Sequence, residues 1–168
     1  MLLSGERKIL TVDNCIEKLA ERGGKKLVHC HGCYDFLHPG HLYHFAFAKT
    51  FGDWLLVSLN ADAYFSNKGP GRPFFNERLR AITVASLEVV DFVCIYPGFI
   101  PEKIFEKIRP EVYIKGIEYD YRRGNPKIPE EEMVAKYGGR VVYGPEENIY
   151  SSTKLIRALQ ACRIERED

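Results

Sequence analysis

A doubly wound α/β domain, a parallel five-stranded sheet with helices on both faces, is the fold this sequence predicts. Three observations carry it. Short runs rich in Val, Ile, Leu and Tyr alternate along the chain with segments of helical period. Two helical segments open at proline, and one of them closes at glycine, the asymmetry of real helix ends. The 168 residues suit one domain, which buries roughly two thirds of the surface its unfolded chain exposes. Strands alternating with helices imply right-handed crossovers and a sheet covered on both sides.

The elements follow in order. A helix over about 12–22 sets Val12, Cys15, Ile16 and Leu19 against the sheet. "KLVHC" (26–30) is the first strand, and a turn containing Gly32 leads to a crossover helix beginning near His38. "WLLVSLN" (54–60) is the second strand; the Gly/Pro-rich "NKGPGRP" (67–73) is a loop inside the domain. Residues 76–88 read as a helix capped by Asn76, its stripe formed by Leu79, Ile82, Thr83, Ser86 and Leu87. "VDFVCIY" (90–96) is the third strand, and the helix 101–108 starts at Pro101 and aligns Ile104, Phe105 and Ile108. "EVYIKG" (111–116) is the fourth strand. The helix 129–137 opens with Pro129 and three glutamates, which suit a positive helix start, and stops at Gly138. "RVVYG" (140–144) is the fifth strand, and a last helix, about 152–163, carries Leu155, Ile156, Leu159 and Cys162. No linker divides residues 1–168, and the core spans about 10–162.

In such a sheet, ligands bind beyond the carboxyl ends of the strands, where strand order reverses. The loops after Cys30, Asn60, Tyr96, Gly116 and Gly144 therefore form the working edge. A formal charge of +1 offers no general attraction to nucleic acid or to an anionic membrane, so any polyanion is held locally. No apolar run approaches the ~20 residues of a transmembrane helix, and the N-terminus lacks a cleavable leader, which predicts a cytoplasmic protein. Its five cysteines are then free thiols, most of them core fillers.

All five histidines lie in "HCHGCYDFLHPGHLYH" (29–44). Cys30 and Cys33 form a C-x-x-C, so a small zinc or thiol-redox module is one reading. A second ligand pair is missing, because Cys15, Cys94 and Cys162 are single. The phosphate reading fits better. His38 and His41 are three apart at a helix start, hence on one face, where free backbone amides and the macrodipole favour an anion. Gly40 between them removes a side chain where a ligand approaches.

"CYDFLHPGH" (33–41) after a first strand resembles the H-x-G-H signature of the nucleotidyltransferase superfamily that includes cytidylyltransferases. The likeness runs from about residue 10 to 160. "AKTFGDWLLVSLNAD", "KGPGRPFFNER", "VDFVCIY", "PEVYIKGIEYD", "GGRVVYG" and "YSSTKLI" follow the order seen in sugar-phosphate adenylyltransferase domains of ADP-heptose synthesis. Glycerol-3-phosphate cytidylyltransferase is similar, with a shorter middle. The resemblance implies a Rossmann-like fold and transfer of a nucleotidyl group from a nucleoside triphosphate to a phosphorylated sugar or polyol, with Mg²⁺ as cofactor and a homodimer as assembly. It casts His38, His41 and Lys68 as the catalytic, phosphate-binding set. The nucleotide is expected against His31, Gly32, Cys33, Tyr34, Gly40, Asn60, Lys115, Gly116, Ser151, Ser152 and Thr153. The acceptor is expected against Arg72, Arg78, Tyr119, Arg122 and Arg123. Where those relatives read "KGGDY" and "NGCFD", this chain has "KGIEYD" and "HGCYD", and no arginine precedes "SST", which tilts the reading from CTP towards ATP. Cytidylyl transfer to glycerol 3-phosphate is the alternative enzyme.

Overall fold

The computed structural model describes residues 4–64 and 72–145. Their strands are β1 (Ile9–Leu10), β2 (Leu27–Gly32), β3 (Trp54–Asn60), β4 (Phe92–Tyr96), β5 (Val112–Lys115) and β6 (Arg140–Tyr143). They form one parallel sheet in the order β1-β4-β3-β2-β5-β6. The predicted α/β architecture holds, with a sixth strand added at one edge. That strand is two residues long, too short for any periodicity, and pairs only Ile9 and Leu10 with Val93 and Cys94.

The helices are α1 (Val12–Ala20), α2 (Pro39–Lys49), α3 (Glu77–Ala85), α4 (Glu102–Lys107) and α5 (Pro129–Ala135). Phe45 and Ala48 of α2 and Ala81, Val84 and Ala85 of α3 pack with Val28, Cys30, Val57 and Ile114 on one face of the sheet. On the other, Cys15 and Leu19 of α1 and Ile104 of α4 pack with Leu27, Leu56 and Cys94, while Phe105 and Val134 close over Tyr113. The apolar stripes of α1 and α4 are those read from the sequence. Cys15, Cys30 and Cys94 are buried free thiols, as expected of core fillers. The last predicted helix lies outside the described residues.

Two expectations need correction. The stripe of α3 is turned: Arg80, Ala81, Val84 and Ala85 are buried, and Leu79 is 47% exposed. Alanines let this helix approach both the sheet and the N-terminal segment, where a Cβ on Gly5 would stand 2.7 Å from the Ala85 carbonyl carbon. Arg80 tolerates burial because backbone carbonyls satisfy its guanidinium. Strand β2 also runs two residues further than expected, through His31 and Gly32. His29 and His31 therefore share the α1/α4 face, with Cys30 on the other.

The extension of β2 opens the crevice. Its pairing with β5 ends at Cys30↔Ile114, whereas its pairing with β3 continues to Gly32↔Leu59. Beyond Cys30 the chain leaves β5, at the point where strand order reverses.

Candidate active site

The crevice is flanked by the start of α2 on one side and by the end of β5 on the other. His38 is the N-cap of α2 in extended conformation, Pro39 occupies the first turn, and the His41 amide donates to the His38 carbonyl over 2.9 Å. One helical turn brings the two imidazoles face to face, with ring centroids 3.9 Å apart. Nδ1 of each ring is buried without a hydrogen-bond partner among the described residues. Burial lowers the His38 pKa, and burial reinforced by His38 and His44 pushes that of His41 down to about 3. The site thus holds neutral rings at a helix start, with an unpaired Nδ1 on each, an arrangement suited to an anion that would raise both pKa values on binding.

The residues between strand and helix hold this pair in place. Tyr34 adopts φ 50°, a left-handed conformation that turns its ring inward against His41 and Phe45, at centroid distances of 5.3 and 5.0 Å. Gly32 accommodates it, since a Cβ there would lie 3.1 Å from Tyr34 Cζ. Tyr34, expected beside the nucleotide, is buried and braces the His41 ring. Asp35 is buried and ties down the 72–75 segment, accepting from the Phe74 amide at 2.7 Å and from Arg72 Nε at 2.5 Å. Arg72, expected on the acceptor, spends its charge on Asp35.

His31 and Asn60 also turn inward. His31 Nδ1 meets Ser58 Oγ at 2.7 Å, and its Nε2 lies 3.1 Å from the Phe99 carbonyl and 2.9 Å from Asn60 Nδ2. Asn60 donates to the Gly98 carbonyl at 2.7 Å. This network clips the loop after β4 to the ends of β2 and β3. His31, expected beside the nucleotide, has both ring nitrogens engaged in it. His29 Nε2 approaches the same Ser58 hydroxyl at 2.8 Å.

Arg80 is the residue that sequence reading missed. Its Nη1 donates to the Cys33 carbonyl at 2.5 Å, Nη2 to the Asn60 carbonyl at 2.8 Å and to Asp62 at 2.7 Å, and Nε to the Phe75 carbonyl at 3.1 Å. One side chain thus joins the loops after β2 and β3 to the segment that leads into α3. Arg78, expected at the acceptor, is exposed and has no hydrogen bond or ion pair among the described residues. An arginine on a helix gives no sequence signal of burial; only the misfit of the α3 stripe, which placed Thr83 and Ser86 inward, hinted at another phase.

Across the crevice, Lys115 ends β5 and Gly116 caps the turn Ile117–Tyr119. The Glu118 carboxylate folds over Gly116, filling the space a side chain would take. Lys115 Nζ lies 2.6 Å from Glu130 Oε1 and 4.9 Å from the Tyr119 ring. Arg122 forms a fork on Asp120 at 2.9 and 2.8 Å, and this arginine holds the Asp120 carboxyl below its usual range. Arg123 is exposed on the same turn. Lys115, Gly116, Tyr119, His38, Gly40 and His41 therefore sit at the carboxyl edge of the sheet, while Lys68, Ser151, Ser152 and Thr153 lie outside the described residues.

The thiol module fares poorly on this geometry. Cys30 is fully buried in the core on the α2 face, and burial pushes its pKa up, away from the thiolate a metal or disulfide exchange requires. Among the described residues no group of three or more His, Cys, Asp and Glu side chains is placed to hold a metal ion. No helix of the described residues is long and apolar enough to cross a membrane.

A parallel sheet whose reversal crevice is edged by a histidine pair at a helix start places this chain among the doubly wound α/β proteins that bind their ligands where strand order reverses. The chain belongs to the cytidylyltransferase-like family, whose family model matches residues 29–158. It is 38% identical over 150 residues to the bifunctional protein HldE of Geotalea uraniireducens, covering 89% of this chain and 30% of that protein. The HldE of Campylobacter curvus is 40% identical over 116 residues, 68% of this chain and 25% of the relative. The chain therefore spans about a third or less of the length of these relatives. Among solved structures, the lipopolysaccharide core biosynthesis protein of Thermoplasma volcanium is 26% identical with a TM-score of 0.57, covering 73% of this chain and 98% of its own. Pantoate-beta-alanine ligase of Francisella tularensis shares the fold, with a TM-score of 0.59 at 14% identity, over 95% of this chain and 79% of its own.

Buried neutral histidines make stability pH-dependent. Burial first, then the Lys115 charge, pushes His31 down to about 3; burial pushes His44 down to about 4; and His29 also lies well below 6.5. Above pH 6.5 both folded and unfolded chains hold these rings neutral. As pH falls from about 6.5 towards 4, the unfolded chain takes up protons the folded one refuses, at up to ~1.4 kcal/mol per pH unit for each ring. Urea unfolding is expected to show a loss of several kcal/mol between pH 7.5 and 5.5. Equal stability at the two values would mean that these rings do not stay neutral on folding.

Proposed function

We propose that this protein transfers a nucleotidyl group, adenylyl in preference to cytidylyl, from a nucleoside triphosphate to a sugar phosphate such as heptose 1-phosphate, releasing pyrophosphate. The observation that carries it is the stacked His38–His41 pair at the start of α2, at the same carboxyl edge of the sheet as Lys115 and Gly116. The acceptor phosphate has a second pKa near 6 and is already nucleophilic at neutral pH, so no general base is needed. The reaction instead requires two repelling anions held in line, and neutralisation of the charge that gathers on the departing pyrophosphate. Imidazole N–H groups and the Gly40 amide in the first turn of α2 supply donors for that charge. Lys68 and the hydroxyls of Ser151, Ser152 and Thr153 would complete the set around the triphosphate. Mg²⁺ belongs to the substrate here, arriving on the triphosphate and bound largely through its oxygens and water. The sequence resemblance adds a homodimer and a cytoplasmic setting to the proposal.

The relatives named HldE and the lipopolysaccharide core biosynthesis protein support a sugar phosphate as acceptor. Cytidylyl transfer to glycerol 3-phosphate is the second reading, favoured by the family to which the chain belongs. A pyrophosphate-release screen tests both, crossing ATP, CTP, GTP and UTP with phosphorylated sugars and polyols at saturating Mg²⁺. Release is expected with ATP and a phosphorylated sugar. Release confined to CTP with glycerol 3-phosphate would replace the first reading by the second, and no release with any pair would refute both.

A further inference from the structure

Lys115 is not a free cation in the crevice. Its ammonium lies 2.6 Å from Glu130 Oε1, and the two side chains are only 14% and 4% exposed. Glu130 is held for this purpose in the first turn of α5, buried although its helix neighbours Glu131 and Glu132 are less so. Tyr113, from the same strand face, places its hydroxyl 3.4 Å from Nζ and 3.5 Å from Glu130 Oε1. The Tyr119 ring stands over the ammonium at 4.9 Å. An ammonium has three N–H donors. Glu130 and Tyr113 engage two, and among the described residues the third has no acceptor, only the face of Tyr119.

A lysine so neutralised is a poor phosphate ligand, because its carboxylate partner repels the same anion at nearly the same distance. It remains a good donor at short range, since the carboxylate fixes its position and one N–H has no acceptor among the described residues. Its place in the fold agrees. Lys115 is on the face covered by α4 and α5, whereas His38 and His41 start α2 on the opposite face.

Resting on the reading of this protein as a nucleotidyltransferase, we infer that Lys115 is a specificity-determining residue, positioned by Glu130 to donate a hydrogen bond to an uncharged acceptor atom of a substrate. That atom is a base nitrogen or carbonyl of the nucleotide, or a hydroxyl of the sugar; phosphate is excluded by the paired carboxylate. Glu130 acts through Lys115 and touches no substrate.

The test compares wild type with Lys115→Met, Glu130→Gln and the double variant Lys115→Met/Glu130→Gln. The last leaves no unpaired buried charge, so it keeps the test open if a single variant does not fold. Binding of inorganic pyrophosphate, which needs no turnover, is measured by calorimetry. Lys115→Met and the double variant are expected to keep its Kd within about threefold, while Glu130→Gln tightens it by uncovering the ammonium. Losing the donor is expected to cost at least tenfold in one of two arms, the size of an unpaired polar contact. If the base is contacted, the ratio of ATP to CTP affinity collapses. If a sugar hydroxyl is contacted, KM for the acceptor rises, and the matching deoxy acceptor shows the same loss in wild type and no further loss in Lys115→Met.

A tenfold loss of pyrophosphate affinity in Lys115→Met would overturn the inference by making Lys115 a phosphate ligand. Nucleotide preference and acceptor KM both unchanged would overturn it by making the pair structural. Wild type inactive with every pair would refute the nucleotidyltransferase reading itself, while the pyrophosphate and nucleotide affinities still decide the role of Lys115.

Discussion

His41→Ala is expected to lower the single-turnover rate of nucleotidyl transfer by about 10²–10³, the loss that follows removal of one preorganised donor to a developing anion. The nucleotide Kd should change far less, because the charge His41 faces grows only as pyrophosphate leaves. Its ring is stacked on His38 at 3.9 Å and braced from behind by Tyr34, so its aim is fixed before substrate binds. His44→Ala is the internal control. His44 lies on the same face of α2 one turn further on, buried near Gly144, where a Cβ would come within 3.2 Å of its Nδ1. The field of a helix terminus fades within about a turn, so a folded His44→Ala protein should keep a near-normal rate. Equal losses in the two variants would remove His41 from the chemical step.

Arg80→Ala should be the most destabilising single change at this edge, costing about 3–5 kcal/mol, since it breaks a buried charged network and leaves a void. Arg80 is 1% exposed and its guanidinium's bonds to the Cys33, Asn60 and Phe75 carbonyls would all be lost. Asp62 adds little to this sum, because its side chain is 37% exposed and water replaces its partner. Arg80→Lys keeps the charge but not the planar fork, so it should recover only part of the loss. Arg78→Ala, two residues away and exposed, should leave stability within about 0.5 kcal/mol. Urea unfolding of the three variants decides the matter: an Arg80→Ala loss below about 1 kcal/mol would show that the carbonyls find other donors.

The contrast between these two arginines marks where sequence reading reached its limit. Periodicity located five of the six strands and the burial of α1 and α4, because apolar runs and stripes are local and the hydrophobic effect acts on each of them directly. The crossing of H-x-G-H with a preceding strand was equally legible: two histidines three apart at a helix start must share a face wherever that helix goes. What the sequence could not express is which polar side chains meet. Asp35 and Arg72 are 37 residues apart, Arg80 and the Cys33 carbonyl 47, and His31 and the Phe99 carbonyl 68. Lys115 and Glu130 are separated by 15 residues and two 3-10 turns, so nothing local foretold that the lysine's charge is taken. By itself the sequence determined the layered α/β fold, the working edge and the histidine pair, because each follows from short-range spacing. Only the tertiary structure decided which cations remain available to substrate, because strand order and helix phase set which buried charges meet and a low-polarity interior leaves none unpaired.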